Sequence, residues 1–158
     1  MSDLEPVEFK IYLTSLYYND PPKFEVLLDD EVIEYGEVTQ HQDSGEQRIV
    51  SFTRDLDEGN HTIAVRLLGK KPKHTQQDEA GNIIEDQLLN LMEVEIDEIE
   101  LGNLFYDSGC FYKQTAVVKG QPVYATDPEP VKYSNFGWNG EWRLNFSVPT
   151  YMWFLENL

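Results

Sequence analysis

Apolar residues recur at every second position early in the chain. Phe9, Ile11 and Leu13 alternate with polar partners, and Phe24, Val26 and Leu28 do so again after the Asp20-Pro21-Pro22 break. A period of two sends successive side chains to opposite faces, so each run predicts a half-buried strand. Asp29-Asp30 is a turn signal, Val32, Ile33 and Val38 carry a third strand, and Asp43-Ser44-Gly45 leads into a fourth over 49–53. Asp57-Glu58-Gly59-Asn60 then launches a strand over 61–67 in which Ile63, Val65 and Leu67 face the core. Residues 69–87 are polar and predict a small hairpin about Glu79-Ala80-Gly81-Asn82. Residues 89–101 predict one long strand, with Met92, Val94 and Ile96 on one face and Glu93, Glu95 and Asp97 on the other.

The pattern weakens over 102–133, where 115–118 and 122–124, separated by Lys119-Gly120, form the one predicted hairpin. Beyond it, Asn139-Gly140 is the preferred pair for a two-residue type I′ turn, flanked by aromatic strand formers. That turn predicts Trp138 opposite Glu141, Gly137 opposite Trp142 and Phe136 opposite Arg143. Trp142, Leu144, Phe146 and Val148 then share the core face, while Phe136, Trp138 and Arg143 share the other. Pro149 ends the strand, and Thr150 can cap a short helix over 151–158 that is apolar on nearly every side. The sum is an all-β chain: a single domain over 1–158, folded as a jelly-roll-like antiparallel β-sandwich with a C-terminal Trp-rich hairpin and a short apolar tail.

Composition narrows the partners. A chain of 158 residues with 41% hydrophobic and 13% aromatic content can bury a core without staples. Its 29 acidic against 12 basic residues give a net charge of −17, which repels nucleic acid and anionic membrane surfaces alike. No apolar run approaches the roughly 20 residues a membrane helix needs, and the start of the chain lacks the basic and apolar regions of a secretory signal. The lone Cys110 predicts no internal disulfide and no multi-cysteine zinc site, and His41, His61 and His74 are scattered. No catalytic motif is visible, so the chain is expected not to be an enzyme.

Three constellations are candidate sites. Asp78, Glu79, Asn82, Glu85 and Asp86, with Asn90 beyond them, gather enough hard oxygens for a calcium ion, which takes six to eight; a solvated acidic loop is the alternative. Trp138 with Asn139 and Arg143 combines an aromatic ring with hydrogen-bonding groups, as glycan binding requires, and Tyr17-Tyr18 beside Asn19 offers a second such group; packing under a loop is the alternative for each. Tyr151, Met152, Trp153, Phe154, Leu155 and Leu158 either close the sandwich or dock on a partner, since aromatics and methionine suit interface cores.

The runs Phe24-Glu25-Val26-Leu27-Leu28-Asp29-Asp30-Glu31-Val32, Gly59-Asn60-His61-Thr62-Ile63-Ala64-Val65, Glu85-Asp86-Gln87-Leu88-Leu89-Asn90 and Val94-Glu95-Ile96-Asp97-Glu98-Ile99-Glu100-Leu101-Gly102 resemble the calcium-dependent xylan-binding carbohydrate-binding modules. The resemblance covers residues 8–102 and implies a jelly-roll sandwich. It also implies a calcium ligand at Asp86, but the chain departs from the family's pattern at Gly69-Lys70, where the family places an Asn-Asp pair. The loop Gly81-Asn82-Ile83-Ile84-Glu85-Asp86, the segment Gly137-Trp138-Asn139-Gly140 and the apolar tail resemble small accessory structural proteins of tailed bacteriophages. This second likeness implies a virion protein made in the host cytoplasm, held to other virion proteins by its tail, with glycan adhesion and self-association left open. The leading expectation is therefore a non-catalytic accessory protein of a phage particle without cofactor, and the alternative is a calcium-dependent carbohydrate-binding module.

Overall fold

The computed structural model describes residues 4–125, 129–130 and 135–157. Its strands are β1 (Leu4–Leu16), β2 (Lys23–Leu28), β3 (Glu31–Glu37), β4 (Arg48–Asp57), β5 (Gly59–Leu68), β6 (Gln76–Gln77), β7 (Ile83–Glu85), β8 (Leu88–Ile96), β9 (Ile99–Glu100), β10 (Cys110–Val118), β11 (Gln121–Tyr124), β12 (Glu129–Pro130), β13 (Asn135–Phe136) and β14 (Gly140–Val148). Two helices, α1 (Leu104–Asp107) and α2 (Thr150–Asn157), complete the order. Strands β13, β8, β1 and β4 lie side by side, with β9 folded back on β8. The second sheet runs β11-β10-β14-β5-β2-β3, with β12 against β10, and β6 and β7 form a separate small ribbon.

The two larger sheets face each other because their alternating apolar residues leave no other way to escape water. Val7, Phe9, Ile11 and Leu13 of β1 and Leu89, Leu91, Val94 and Ile96 of β8 are buried against Phe24, Val26, Ile63, Val65, Leu67, Trp142, Leu144 and Phe146. Burial of each such side chain stabilises the fold by about 1.5–3 kcal/mol. Phe9 meets Phe146 edge-on across the interior at 5.8 Å.

Several turns and registers differ from the sequence expectation. The long strand over 89–101 is broken: Asp97 and Glu98 adopt positive φ of 52° and 67°, and the chain doubles back as β9. Asp97 tolerates the left-handed conformation because its carboxylate accepts the Glu8 N–H and the Thr150 hydroxyl. Met92 points to solvent, not with Val94 and Ile96, because a bulge opposite Tyr12 and Leu13 inserts one extra residue. The expected Asn139-Gly140 hairpin does not form. Phe136 pairs with Leu89 in the β8 sheet, whereas Gly140 begins a strand between β10 and β5, so the chain crosses from one sheet to the other over 137–139. Phe136 is consequently buried, stacked on Phe111 at 5.0 Å. A Cβ on Gly140 would lie 2.5 Å from the Phe111 ring and 2.6 Å from the Tyr112 carbonyl, which accounts for its glycine without any hairpin turn.

The tail forms the expected short helix. Trp153 and Phe154 are buried, with Trp153 edge-on to Phe146, so these two close the end of the sandwich and are not free for a partner. Tyr151, Met152 and Leu155 face outward, and Leu158 lies outside the described residues. Among the described residues no helix is long and apolar enough to cross a membrane.

Candidate functional site

The crossover over 137–139 forms one wall of a cleft of about 620 Å³, and the segment after β5 forms the other. Gly69, at φ +73°, turns the chain out of β5, and the Asn139 amide then clasps Lys70. The Lys70 N–H donates to Asn139 Oδ1 and Asn139 Nδ2 donates to the Lys70 carbonyl, both at 2.9 Å. These two hydrogen bonds join segments 69 residues apart, one from each wall of the cleft.

Lys70 turns its ammonium inward, with its side chain 10% exposed. Nζ donates to Asp86 Oδ1 and to the Gly137 carbonyl, each at 2.7 Å. Asp86 Oδ1 also accepts the Thr75 hydroxyl at 2.7 Å and the Gln87 N–H at 2.8 Å. Burial alone would raise the Asp86 carboxyl, but the bonds from Lys70, Thr75 and the Gln87 N–H outweigh it and hold the group below the ordinary aspartate range. Trp138 stands on the rim, 60% exposed, with Ile83 exposed among the residues that line the cleft. Trp138 and Trp142 thus take the exposed and core places read from the sequence, although the hairpin that led to that reading is absent.

The acidic loop does not assemble a calcium site. Asp78 spends Oδ1 on the N–H groups of Ala80 and Asn82 and Oδ2 on the Asn82 side chain, which tightens the turn between β6 and β7 and lowers the Asp78 carboxyl. Glu79, Asn82 and Glu85 are exposed, while Asp86 faces the other way, into the cleft. Asn90 is buried and donates to Thr14 and Gln42. Among the described residues no three His, Cys, Asp or Glu side chains converge as a metal would need. The ammonium already on Asp86 opposes a second cation at that carboxylate. The residues present therefore do not fit calcium.

Arg143 is separated from Trp138 and Asn139. It lies on the outer face of the β14 sheet, 4.2 Å from the Tyr112 ring, with Nε donating to Glu141 Oε2 at 2.6 Å. Glu141 is 2% exposed, and its other oxygen accepts Arg66 Nε at 3.2 Å. Arg66 in turn reaches Glu25 and lies over the Tyr124 ring. Burial, with help from Glu141 and Glu25, outweighs the opposing Arg66 and Arg143 and raises the Tyr124 phenol. Tyr18 and Asn19 both donate to the Lys73 carbonyl and brace the short 3₁₀ turn at Pro72–His74. His61 bridges Asp29 and the Asp57 carbonyl, and His74 meets Asp20. Cys110 is a half-buried free thiol.

Sequence reasoning missed Lys70, Thr75 and Gly137 as site residues. The one signal was Lys70 at the position where the resemblance expected an Asn-Asp pair. Nothing local distinguishes it from its neighbours Lys71 and Lys73, because its partners come from the β7–β8 link and the crossover.

No protein-family model matches the sequence, and no curated protein matches it either. Among solved structures, the chain is similar to vCBM60 in complex with galactobiose: 8% identity, 89% of this chain and 97% of that chain covered, TM-score 0.45. It is also similar to the selenomethionine form of vCBM60, from work on a circular permutation linking two families of calcium-dependent carbohydrate-binding modules: 6% identity, 87% and 89% covered, TM-score 0.48. Likenesses this distant do not transfer a ligand; the geometry of the cleft has to supply one.

Proposed function

We propose that the chain is a non-catalytic saccharide-binding protein whose ligand lies in the cleft between Lys70 and Trp138. The observation that supports this reading is the 60% exposure of Trp138 on the rim of a concave, largely apolar site that also presents Lys70, Thr75, Asp86 and Asn139. A large indole left in water offers a flat apolar surface to the C–H face of a sugar ring, while hydroxyls at the ring edge require donors and acceptors beside it. The cleft offers both. The test is a glycan array with the intact protein and Trp138→Ala. Selective binding that falls roughly ten-fold or more in the variant supports the reading. An array without signal, or one unchanged by Trp138→Ala, counts against it.

A second reading, docking on a larger assembly such as a phage particle, is favoured by the outward face of α2. Tyr151, Met152 and Leu155 are 61%, 46% and 74% exposed there, which suits an interface core. Deleting the tail would remove Trp153 and Phe154 from the interior, so the informative variant carries serine at positions 151, 152 and 155. A variant that folds but no longer co-sediments with its assembly supports docking; unchanged co-sedimentation refutes it.

A further inference from the structure

Lys70 and Asp86 share a bond, yet neither is used up by it. An ammonium has three N–H donors, and Lys70 directs two of them at Asp86 Oδ1 and the Gly137 carbonyl. A carboxylate has two oxygens, and all three further or shared bonds named above fall on Oδ1, leaving Oδ2 without a partner among the described residues. Oδ2 points toward Gly137: a Cβ placed there would lie 4.0 Å from it and 3.9 Å from Lys70 Nζ. One open donor and one open acceptor therefore lie close together beside the glycine, with the Leu88 Cδ2 methyl, 3.1 Å from the same Cβ position, as their apolar neighbour and Trp138 next in the chain.

We infer that this pair recognises two neighbouring hydroxyls of an uncharged sugar, with the Lys70 ammonium as the cationic group of the site. The inference rests on reading the cleft as a saccharide site and adds the ligand's chemistry. One hydroxyl accepts from the third Lys70 N–H, and its neighbour donates to Asp86 Oδ2. Both bonds involve a charged partner, so each is stronger than a bond between neutral groups. The ring face then meets Trp138. An uncharged ligand is favoured because the chain's −17 charge repels polyanionic glycans. The cation that orders the acceptor groups is carried on the chain itself, and binding needs no added ion.

The probes are galactobiose, xylobiose and cellobiose, each titrated calorimetrically into the full chain with EDTA and then with millimolar calcium. Binding of equal strength in both conditions is expected. Lys70→Met and Asp86→Asn should each weaken it about ten-fold or more. For a readout independent of variant folding, the wild-type chain is offered the bound disaccharide with one hydroxyl of the recognised pair replaced by hydrogen; a similar loss is expected. Absence of any saccharide binding would defeat the reading of the cleft. Binding that EDTA abolishes, a calcium-induced rise in melting temperature, or indifference to every single deoxygenation would overturn the present inference and leave that reading standing.

Discussion

Glu141 and Asp86 are carboxylates that each hold a basic side chain against a sheet end or face, and they differ in what is left over. Glu141 is 2% exposed and gives one oxygen to Arg66 and the other to Arg143. Arg66 lies over Tyr124 and is also tied to Glu25, and Arg143 lies over Tyr112. Asp86 concentrates its bonds on Oδ1, and the indole on the same cleft is 60% exposed. A buried carboxylate whose two oxygens are both spent internally serves the fold. One that keeps an oxygen open beside an ammonium at a concave surface is prepared for a ligand.

The largest effect should come from breaking the closed cluster. Glu141→Gln takes from Arg66 and Arg143 the carboxylate they share; because the arginine side chains are 20% and 37% exposed, the loss is about 3 kcal/mol at most. Urea denaturation should show that loss, while saccharide affinity per folded molecule stays unchanged. A stable Glu141→Gln protein that had lost its ligand would reverse the assignment of roles.

Asn139→Ala should come next. It deletes both bonds to the Lys70 backbone, each worth about 1 kcal/mol, and frees the cleft's two walls to part. The expected result is a loss of about 2 kcal/mol in stability together with weaker binding, since Trp138 and Lys70 would no longer be held at a fixed spacing. Loss of stability without loss of affinity would show that the cleft's width is set elsewhere.

How much of this could be read along the chain follows from how far apart the interacting groups lie. The sandwich was legible because alternation is local: Phe9, Ile11 and Leu13, or Trp142, Leu144 and Phe146, declare their buried face without reference to a partner strand. Turns with glycine were legible too, as at Lys119-Gly120, where φ is 51° and 78°. The Asp97-Glu98 turn was not, because its left-handed residues depend on hydrogen bonds from Glu8 and Thr150 at the chain's two ends. Asn139-Gly140 misled for the same reason. Its composition suits a hairpin, but the asparagine is engaged by Lys70 and the glycine by the Phe111 ring. For the cleft, Trp138 and Asn139 stood out as aromatic and polar neighbours, whereas Arg143 was assigned to it through the hairpin register and belongs to the Glu141 cluster.

The smallest and most discriminating effect concerns pH, where binding and stability should part company. His61 is depressed by burial, but the Asp29 carboxylate and the Asp57 carbonyl outweigh that and raise it above its ordinary 6.5. A raised group contributes stability that is fully present below 6.5 and lost as pH climbs through the folded value. Asp86 is shifted the opposite way, below its ordinary 3.8. Its contribution is present above 3.8 and lost only as pH falls through the lower folded value. Melting temperature should therefore decline modestly on the alkaline side of 6.5, while saccharide affinity stays flat from there down to about pH 4. Affinity that fell between pH 6 and 4 would mean that Asp86 is protonated more easily than its bonds to Lys70 and Thr75 allow, and the open cluster would lose the charge on which its contrast with Glu141 depends.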